Sequence, residues 1–293
     1  MCNCGLGNFK ITIVSWLGKR QRMASKGKVV FITGASQGLG RAIGEICYAK
    51  GMRVYGTSRN PDRIKDCPFT LIPMEVTDTD SVRAAVLRVL ELEDSIDVLI
   101  NNAGIGITGP LEEIDLIEVQ RHFNTNFAGP LRLIQAVLPC MRSKGSGMII
   151  NITSVAGTMG LPFRGVYSAV KSGLLQSTEA LRMELRPFGI KATALIPGDI
   201  NTNMAAGRYH APLIVDSPYA EQYNRLIQSI NEDVSSGSSP EKIANCVYQI
   251  MNKSNPKPFY TAGPGFQQLA VYLKRFLPSR VFERLMVAFQ KLD

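Results

Sequence analysis

The chain has very little histidine, and this shortage removes two common kinds of catalytic site. Among its 293 residues, His122 and His210 are the only histidines, and neither lies in a pattern of metal ligands. Zinc sites depend on histidine and cysteine at short spacings, and the serine-hydrolase triad depends on a histidine base. We therefore expect no metal site and no Ser-His-Asp chemistry.

The cysteines are few and show no spacing typical of a disulfide framework: Cys2, Cys4, Cys47, Cys67, Cys140 and Cys246. A chain of this length can bury a core without cross-links. Because Cys2 and Cys4 have no companion metal ligands, we interpret them as free thiols.

The sequence also lacks an apolar run long enough to cross a membrane. The apolar segment at residues 11–17 is too short, and most of the basic residues beside it follow it, whereas a signal peptide carries them in front. Met23 stands shortly before the first strand pattern. We therefore interpret residues 1–24 as an extension outside the fold, disordered or misassigned, with translation hypothetically beginning at Met23.

The net charge of +9 comes from lysines and arginines scattered along the chain. Nucleic-acid binding favours a concentrated basic patch with aromatic residues, so we expect no nucleic-acid partner. An anionic cofactor or an anionic lipid surface explains the charge better. The hydrophobic share of 45% and the mean hydropathy of +0.03 are typical of a globular protein, which we expect to be cytoplasmic.

Short apolar runs alternate with longer helical patterns over most of the chain, which predicts βαβ units and a parallel sheet. The predicted strands are residues 29–33, 53–57, 69–73, 97–101, 148–153, 191–196 and 258–261. The predicted helices include residues 81–92, 116–143 and 167–186. Residues 199–238 break this rhythm. We divide the chain into the extension, one domain at 25–265 and a tail at 266–293.

A glycine-rich turn follows the first predicted strand. Thr33-Gly34-Ala35-Ser36-Gln37-Gly38-Leu39-Gly40 lies between the strand and a helical pattern, a setting that can hold a pyrophosphate on backbone amides. Gly34 would form the tight turn, Gly38 would allow close backbone approach, and Gly40 would allow the helix to pack on the strand. The spacing G-x-x-x-G-x-G differs from the G-x-G-x-x-G fingerprint.

Tyr167 and Lys171 are four residues apart in a helical pattern and therefore share one helix face. An ammonium near a phenol favours the phenolate, so the spacing predicts that Lys171 lowers the pKa of Tyr167 from its usual value of about 10. Tyr167 then becomes a candidate proton donor and acceptor near neutral pH.

Three further segments complete these two motifs in order: Asn101-Asn102-Ala103-Gly104 after a predicted strand, Ser154 thirteen residues before Tyr167, and Pro197-Gly198. Together the motifs resemble the short-chain dehydrogenase/reductase family over roughly residues 26 to 262. The resemblance implies an α/β fold: a single doubly wound Rossmann domain whose mostly parallel seven-stranded sheet carries helices on both faces. It also implies a homodimer or homotetramer, and a mobile substrate-covering loop at 199–238.

The same resemblance implies a catalytic tetrad of Asn126, Ser154, Tyr167 and Lys171. Tyr167 would exchange a proton with the substrate oxygen while a hydride moves to or from nicotinamide. Ser154 would stabilise charge on that oxygen. Lys171 would bind the nicotinamide ribose, and Asn126 would hold a water of a proton relay.

The cofactor expected from the resemblance is NADP(H), with NAD(H) left open. The second strand ends in Ser58-Arg59 without the carboxylate that would bind a free ribose hydroxyl, and Arg59 could bind a 2′-phosphate. Glu75 stands where the family more often has Asp. The full predicted cofactor set is Gly34, Ser36, Gly38, Leu39, Gly40, Ser58, Arg59, Glu75, Val76, Asn102, Ala103, Gly104, Tyr167, Lys171, Pro197, Gly198 and Thr202.

Two segments indicate a lipophilic ketone or alcohol as substrate, such as a keto-sphingoid base or a steroid. Residues 159–163 resemble the pocket wall of the family's steroid- and lipid-ketone branch. The tail at 266–293 has apolar residues at helical spacing together with Lys274, Arg275, Arg280 and Arg284. This pattern predicts either a basic amphipathic helix at a membrane surface or a helix packed on the domain or on a second copy.

Two other functions remain open at this point. One is a catalytically inactive dinucleotide sensor or scaffold, although such proteins usually lose the tyrosine or the lysine, and this chain has both. The other is a sugar-nucleotide epimerase or dehydratase of the extended branch, which usually has a different glycine spacing and a larger substrate domain.

Overall fold

The computed structural model describes residues 27–201, 207–235 and 237–290, and the side chains of 231–235 are not described. Its centre is a seven-stranded sheet, entirely parallel, with strand order β3-β2-β1-β4-β6-β7-β9. The strands are β1 (Val29–Ile32), β2 (Arg53–Ser58), β3 (Thr70–Pro73), β4 (Val98–Asn101), β5 (Ile107–Thr108), β6 (Gly147–Ile152), β7 (Ile190–Pro197), β8 (Tyr209–His210) and β9 (Phe259–Ala262).

The helices lie mainly between consecutive strands of this sheet. They are α1 (Gly38–Ala49), α2 (Thr79–Leu92), α3 (Leu116–Phe123), α4 (Gly129–Lys144), α5 (Gly165–Glu184), α6 (Ala220–Ser235), α7 (Pro240–Met251), α8 (Gly265–Phe276) and α9 (Ser279–Phe289).

Helices cover both faces of the sheet, which explains why its inner strands read as continuous apolar runs. Adjacent residues of β1 enter opposite layers. Val30 packs with Ile43 of α1 and Val247 of α7, whereas Phe31 packs with residues of α2 and α4 on the other face. The predicted doubly wound α/β fold with a seven-stranded parallel sheet is confirmed, and each strand boundary lies within one residue of its prediction.

The strand order reverses between β1 and β4, which are neighbours in the sheet. Their connections leave toward opposite sides, so a crevice opens at their carboxyl ends, the usual ligand position in such sheets. The glycine turn follows β1 and the Asn102–Gly104 segment follows β4. The fold therefore brings these two motifs to the same edge.

The predicted helix at 116–143 is not continuous. It consists of α3 and α4, separated by a five-residue π-helical turn at Asn124–Ala128. Gly129 N–H bonds to the carbonyl of Asn124, five residues earlier, and Pro130 has no N–H to offer the carbonyl of Asn126. This widened turn, with the buried Asn126 inside it, is a local feature of a kind often found at functional sites.

The segment predicted as a loop at 199–238 contains regular structure that sequence rhythm did not indicate. Strand β8 pairs in parallel with β5 outside the main sheet, and α6 follows it. Side-chain bonds join these pieces: Thr108 Oγ1 lies 2.9 Å from His210 Nδ1 and 3.0 Å from the Tyr223 hydroxyl. The predicted mobility of this segment stays a prediction.

The tail forms two helices instead of one, because Pro278 follows the end of α8 and fixes the chain in an extended turn before α9. Val271 of α8 and Phe282 of α9 are buried against Ala156 and Ile196 of the main domain. Other apolar side chains of the two helices remain exposed to solvent: Phe266, Leu269, Tyr272, Leu273, Phe276, Val281, Leu285 and Phe289. Within the described residues, no helix is long and apolar enough to cross a membrane.

Candidate active site

The glycine turn is held in place by the two strands beside it. Thr33 Oγ1 accepts hydrogen bonds of 2.9 Å from the backbone N–H groups of both Asn102 and Ala103. From the other side, Gly34 N–H donates to Thr57 Oγ1 at 3.2 Å. Gly34 has φ +65° and an added Cβ would lie 3.1 Å from the Cα of Ala103, so glycine suits this turn both in conformation and in space.

Asn102 lines the crevice and also holds the glycine turn through its side chain. Its side-chain Nδ2 donates to the carbonyl oxygens of Thr33 at 2.9 Å and Gly34 at 3.1 Å. Its neighbour Asn101, which sequence reasoning did not assign, begins a buried chain of bonds: Asn101 Nδ2 to Asn151 Oδ1, and Asn151 Nδ2 to Thr178 Oγ1, each 2.8 Å. This chain ties β4 and β6 to α5, which carries the tyrosine and the lysine.

Helix α1 begins where the glycine turn ends, so the backbone N–H groups of its first turn lie beside the crevice. The preceding Gln37 makes no side-chain cap, and the first turn contains no acidic residue. Both properties leave the helix N-terminus suited to an anionic group such as a phosphate.

A cavity of about 640 Å³ begins at this turn. The predicted cofactor residues that line it are Gly34, Ser36, Gly38, Leu39, Ser58, Arg59, Glu75, Val76, Asn102, Ala103 and Gly104. Gly40 lies behind the turn instead, where an added Cβ would stand 2.5 Å from Asn102 Nδ2. Thr202 lies outside the described residues. Arg63 and Arg121 also line the cavity, and sequence reasoning missed both.

A second cavity, of about 460 Å³, adjoins the first, and Leu39 and Asn102 line both. The structure brings Ser154, Tyr167, Lys171, Pro197 and Gly198 together along its wall. Its far wall is apolar and comes largely from the tail helices, through Phe266, Leu269, Leu273, Phe282, Leu285, Met286 and Phe289.

Three charged residues that sequence reasoning did not assign also line this second cavity: Arg164, Asp199 and Arg208. Arg164 lies three residues before Tyr167, so helical spacing could have indicated it. Asp199 directly follows the Pro197-Gly198 motif. No sequence signal connects Arg208 with Tyr167, because tertiary folding alone brings β8 to this place.

The hydroxyl of Tyr167 forms a hydrogen bond with Ser154, whereas the sequence predicted a bond from Ser154 to the substrate oxygen, which stays a prediction. Burial raises the pKa of Tyr167 above its ordinary value. The bond with Ser154 and the charges of Arg208 and Arg164 oppose this rise, and the charge of Asp199 adds to it. The prediction of a lowered pKa is therefore wrong for the protein alone, because desolvation of a buried phenol outweighs the nearby cations.

Lys171 lies close to Tyr167 without bonding to its hydroxyl. The ammonium is 5.8 Å from the centre of the tyrosine ring and donates a 3.0 Å hydrogen bond to the carbonyl of Ile152. Burial lowers the pKa of Lys171 to about 8. The ammonium thus remains the main form at neutral pH, held in a desolvated position beside the crevice.

Asn126 is fixed to the backbone that follows β4. Its Oδ1 accepts from Ile105 N–H and its Nδ2 donates to the Ile105 carbonyl, both at 2.9 Å. An added Cβ on Gly104 would lie 2.6 Å from Asn126 Oδ1 and 3.6 Å from Lys171 Nζ, so these three residues meet at one point. The water relay through Asn126 stays a prediction.

Comparison with known proteins gives a consistent result. A family model described as short chain dehydrogenase matches residues 28–212. The chain is 38% identical over 264 residues to 3-ketodihydrosphingosine reductase of Bacteroides thetaiotaomicron, covering 89% of this chain and 97% of that protein.

Solved structures share the fold. A short-chain dehydrogenase from Streptomyces avermitilis matches with a TM-score of 0.73 and 30% identity, covering 86% of this chain and 97% of that chain. A Burkholderia phymatum short chain dehydrogenase/reductase in complex with NAD matches with a TM-score of 0.73 and 24% identity, covering 85% and 92%. A Burkholderia cenocepacia short chain dehydrogenase in complex with NADP matches with a TM-score of 0.69 and 24% identity. The match covers 90% of this chain and 98% of that chain.

The buried Lys171 leads to a prediction about stability. Its folded pKa of about 8 lies below the ordinary value of 10.5, a difference worth about 3.5 kcal/mol at about 1.4 kcal/mol per pKa unit. Between those two pH values the unfolded chain holds a proton that the folded chain has released, so the free energy of unfolding rises with pH. Below pH 8 the penalty for burying the charge is fully present.

We therefore expect Lys171→Met to stabilise the cofactor-free protein most at pH 7, and this advantage to shrink as pH rises from 8 to 10.5. Urea unfolding of the wild type and the variant at several pH values measures the difference between their free energies of unfolding. The titration of groups that both proteins share cancels in this difference. An advantage that does not change with pH would show that the Lys171 pKa is not lowered.

Proposed function

The chain belongs to the short-chain dehydrogenase/reductase family, and we propose that it is an NADP(H)-dependent oxidoreductase that interconverts a carbonyl and a secondary alcohol on a lipophilic substrate. The observation that carries the proposal is the second cavity, where Ser154, Tyr167 and Lys171 stand at one end and apolar side chains of α8 and α9 form the other. Reaction groups and a lipid-compatible wall thus share one space.

The residues of the first cavity fit a nicotinamide dinucleotide. The glycine turn leaves room for close backbone approach, the N-terminus of α1 suits a phosphate, and the two adjoining cavities form one path from Arg59 to Lys171. When bound, the nicotinamide would supply or accept the hydride. Asn102, Gly104 and Pro197 would line its groove.

The protein's own groups handle the proton and the charge. The Tyr167 hydroxyl would donate its proton to the substrate oxygen during reduction, and the phenolate would take it back from the alcohol during oxidation. Ser154, already bonded to that hydroxyl, would hydrogen-bond the same oxygen as negative charge develops on it. The charges of Lys171, Arg164 and Arg208 would favour the phenolate form.

A preference for NADP(H) is supported by the charge at the end of β2. Arg59 and Arg63 are exposed and line the first cavity. Residues 58–60, at the end of this strand, include no carboxylate that would repel a 2′-phosphate. A guanidinium binds phosphate through paired N–H donors, so either arginine could recognise that group.

The lipophilic substrate is supported by the tail helices, and so is contact with a membrane surface. Phe266 and Phe289 stand with ring centres 5.9 Å apart at the wall of the cavity, and both are more than half exposed. Arg275, Arg280 and Arg284 are exposed on the same two helices. A basic, apolar surface beside the cavity would let a substrate pass from an anionic lipid surface to Tyr167. Cytoplasmic location and homo-oligomeric assembly stay predictions.

Tyr167→Phe tests the reaction itself. The change keeps the ring but removes the proton that the substrate oxygen needs, so we expect kcat to fall about 10³-fold while NADPH binding is retained. Steady-state reduction of ketosteroids, keto-sphingoid bases and medium-chain ketones, with NADPH fluorescence for binding, measures both. Tyr248→Phe, on the distant α7, is the matched control. Near-normal kcat in Tyr167→Phe would remove Tyr167 from the mechanism, and no turnover by the wild type would favour a dinucleotide sensor.

Arg59→Asp tests the cofactor. A carboxylate loses the phosphate contact and repels the 2′-phosphate, so kcat/KM with NADPH should fall more than kcat/KM with NADH rises. Lys65→Asp is the control, because Lys65 is exposed nearby and does not line the cavity. A wild type that prefers NADH would show the NADP(H) assignment to be wrong.

The tail surface gives a third prediction. Replacement of Lys274, Arg275, Arg280 and Arg284 by Gln should weaken sedimentation with anionic vesicles by up to about 1 kcal/mol per charge, and salt should weaken wild-type binding through screening. Phe276→Ser, which removes a side chain that is 80% exposed, should weaken it further, whereas Val215→Ser, 90% exposed elsewhere, should not. Absence of wild-type binding would refute membrane contact.

A further inference from the structure

We propose that Arg208, together with Arg164, forms an anion-binding subsite at the catalytic end of the second cavity, so that the substrate carries a carboxylate or phosphate near its reacting carbonyl. This inference rests on the proposed function and narrows it. The subsite would favour acidic keto lipids over amino ketones such as keto-sphingoid bases.

The balance of charge on the cavity wall favours an anion. Its basic residues, among those the structure describes, are Arg164, Lys171 and Arg208, and its acidic residue is Asp199. Lys171 donates to the Ile152 carbonyl, and Asp199 Oδ2 accepts from Gln267 Nε2, a neutral amide that leaves the carboxylate charged. The three basic side chains outnumber this one carboxylate, so the cavity wall has a net positive charge.

Arg208 lines the same cavity as Ser154 and Tyr167. Its positive charge opposes the rise that burial causes in the pKa of Tyr167 and Tyr223, and it adds to the lowering that burial causes in the pKa of His210. An anionic group bound to Arg208 would thus lie close to the oxygen that Tyr167 protonates, within the same cavity.

One nitrogen of the Arg208 guanidinium makes no hydrogen bond to the residues that the structure describes. This nitrogen, Nη1, is buried. Buried donors in folded proteins are almost always bonded, since an unpaired one costs about 1–3 kcal/mol. A carboxylate or phosphate that binds the guanidinium in the paired geometry would satisfy this donor once a rotation of the side chain turns Nη1 toward the cavity.

The surrounding structure holds Arg208 in place. It directly precedes β8, whose Tyr209 N–H donates to the Gly106 carbonyl at 2.9 Å and whose successor Ala211 donates to Thr108 at 2.8 Å. The arginine side chain lies over Gly106, where an added Cβ would be 3.2 Å from its Cγ and 3.3 Å from its Nε. The small β5–β8 ladder therefore carries a guanidinium to the cavity, and Gly106 leaves the room it needs.

The subsite also predicts which head group is rejected. An ammonium at the same position would face two guanidinium groups in a partly desolvated space, where like charges repel strongly. The apolar chain of an acidic keto lipid could instead extend toward α8 and α9 while its head group binds Arg208.

Binding of unreactive ligands tests this without relying on turnover. Calorimetry would compare decanoate, decyl phosphate, decanol and decyltrimethylammonium, each below its micelle concentration, on wild type, Arg208→Gln, Arg208→Lys and Gly106→Ala. We expect the wild type to bind an anion most tightly, and Arg208→Gln to weaken that binding at least about tenfold relative to decanol. Arg208→Lys should retain part of the preference, and Gly106→Ala should weaken it by displacing the arginine. The affinities for decanoate and decyl phosphate show whether the subsite binds a carboxylate or a phosphate more tightly.

Turnover supplies the second arm, with 4-oxotetradecanoate, its methyl ester and a trimethylammonium ketone of equal length. The ratio of kcat/KM for acid over ester should exceed about ten in the wild type and approach one in Arg208→Gln. Equal affinity for anion and alcohol, or the same acid-to-ester ratio in both proteins, would overturn the subsite. Anion binding that depends on Arg208 without reduction of any ketone would keep the subsite and overturn the proposed function.

Discussion

The hydrogen bonds of Thr33 are the contacts on which the rest of the site depends. Its hydroxyl accepts from Asn102 and Ala103, so the end of β1 is tied to the end of β4 where the strand order reverses. Asn102 returns two bonds to the glycine turn. Loss of these contacts would release the turn that begins the first cavity and the segment that positions Asn126. The carboxyl edge of the sheet therefore acts as one connected unit.

The end of the site that holds Tyr167 and Lys171 is built at some expense to stability. Lys171 is buried with its ammonium bonded to a single backbone carbonyl, and burial lowers its pKa to about 8. The phenol of Tyr167 is buried too, and its pKa is raised. Both shifts arise because a water-poor cavity disfavours charge. The same exclusion of water strengthens every electrostatic contact with a reacting group, which is why reactive residues are often found at buried positions with shifted pKa values.

The second cavity combines two unlike environments over a short distance. At one end lie Arg164, Arg208 and Tyr167, and at the other the tail helices present aromatic and aliphatic side chains. A molecule with a polar head and an apolar chain matches both ends at once. The tail is therefore part of the cavity wall as well as a surface feature, and Val271 and Phe282 anchor it to the domain. Membrane contact and substrate binding would share the same two helices.

The sequence alone was sufficient for the parallel α/β fold, because strands covered on both faces leave continuous apolar runs and the glycine turn is a local signal. It also predicted residues that meet around the two cavities: Tyr167 and Lys171 through their helical spacing, and Ser154 through the resemblance carried by the order of the motifs. It did not predict the π turn at Asn126 or the division of the tail, although Pro130 and Pro278 stand in the sequence, because the helical spacing of apolar residues continues across both breaks. Tertiary structure alone decided the direction of the Tyr167 pKa shift and the position of Arg208 on the same cavity wall as that tyrosine, because burial and the approach of distant segments arise only when the whole chain packs.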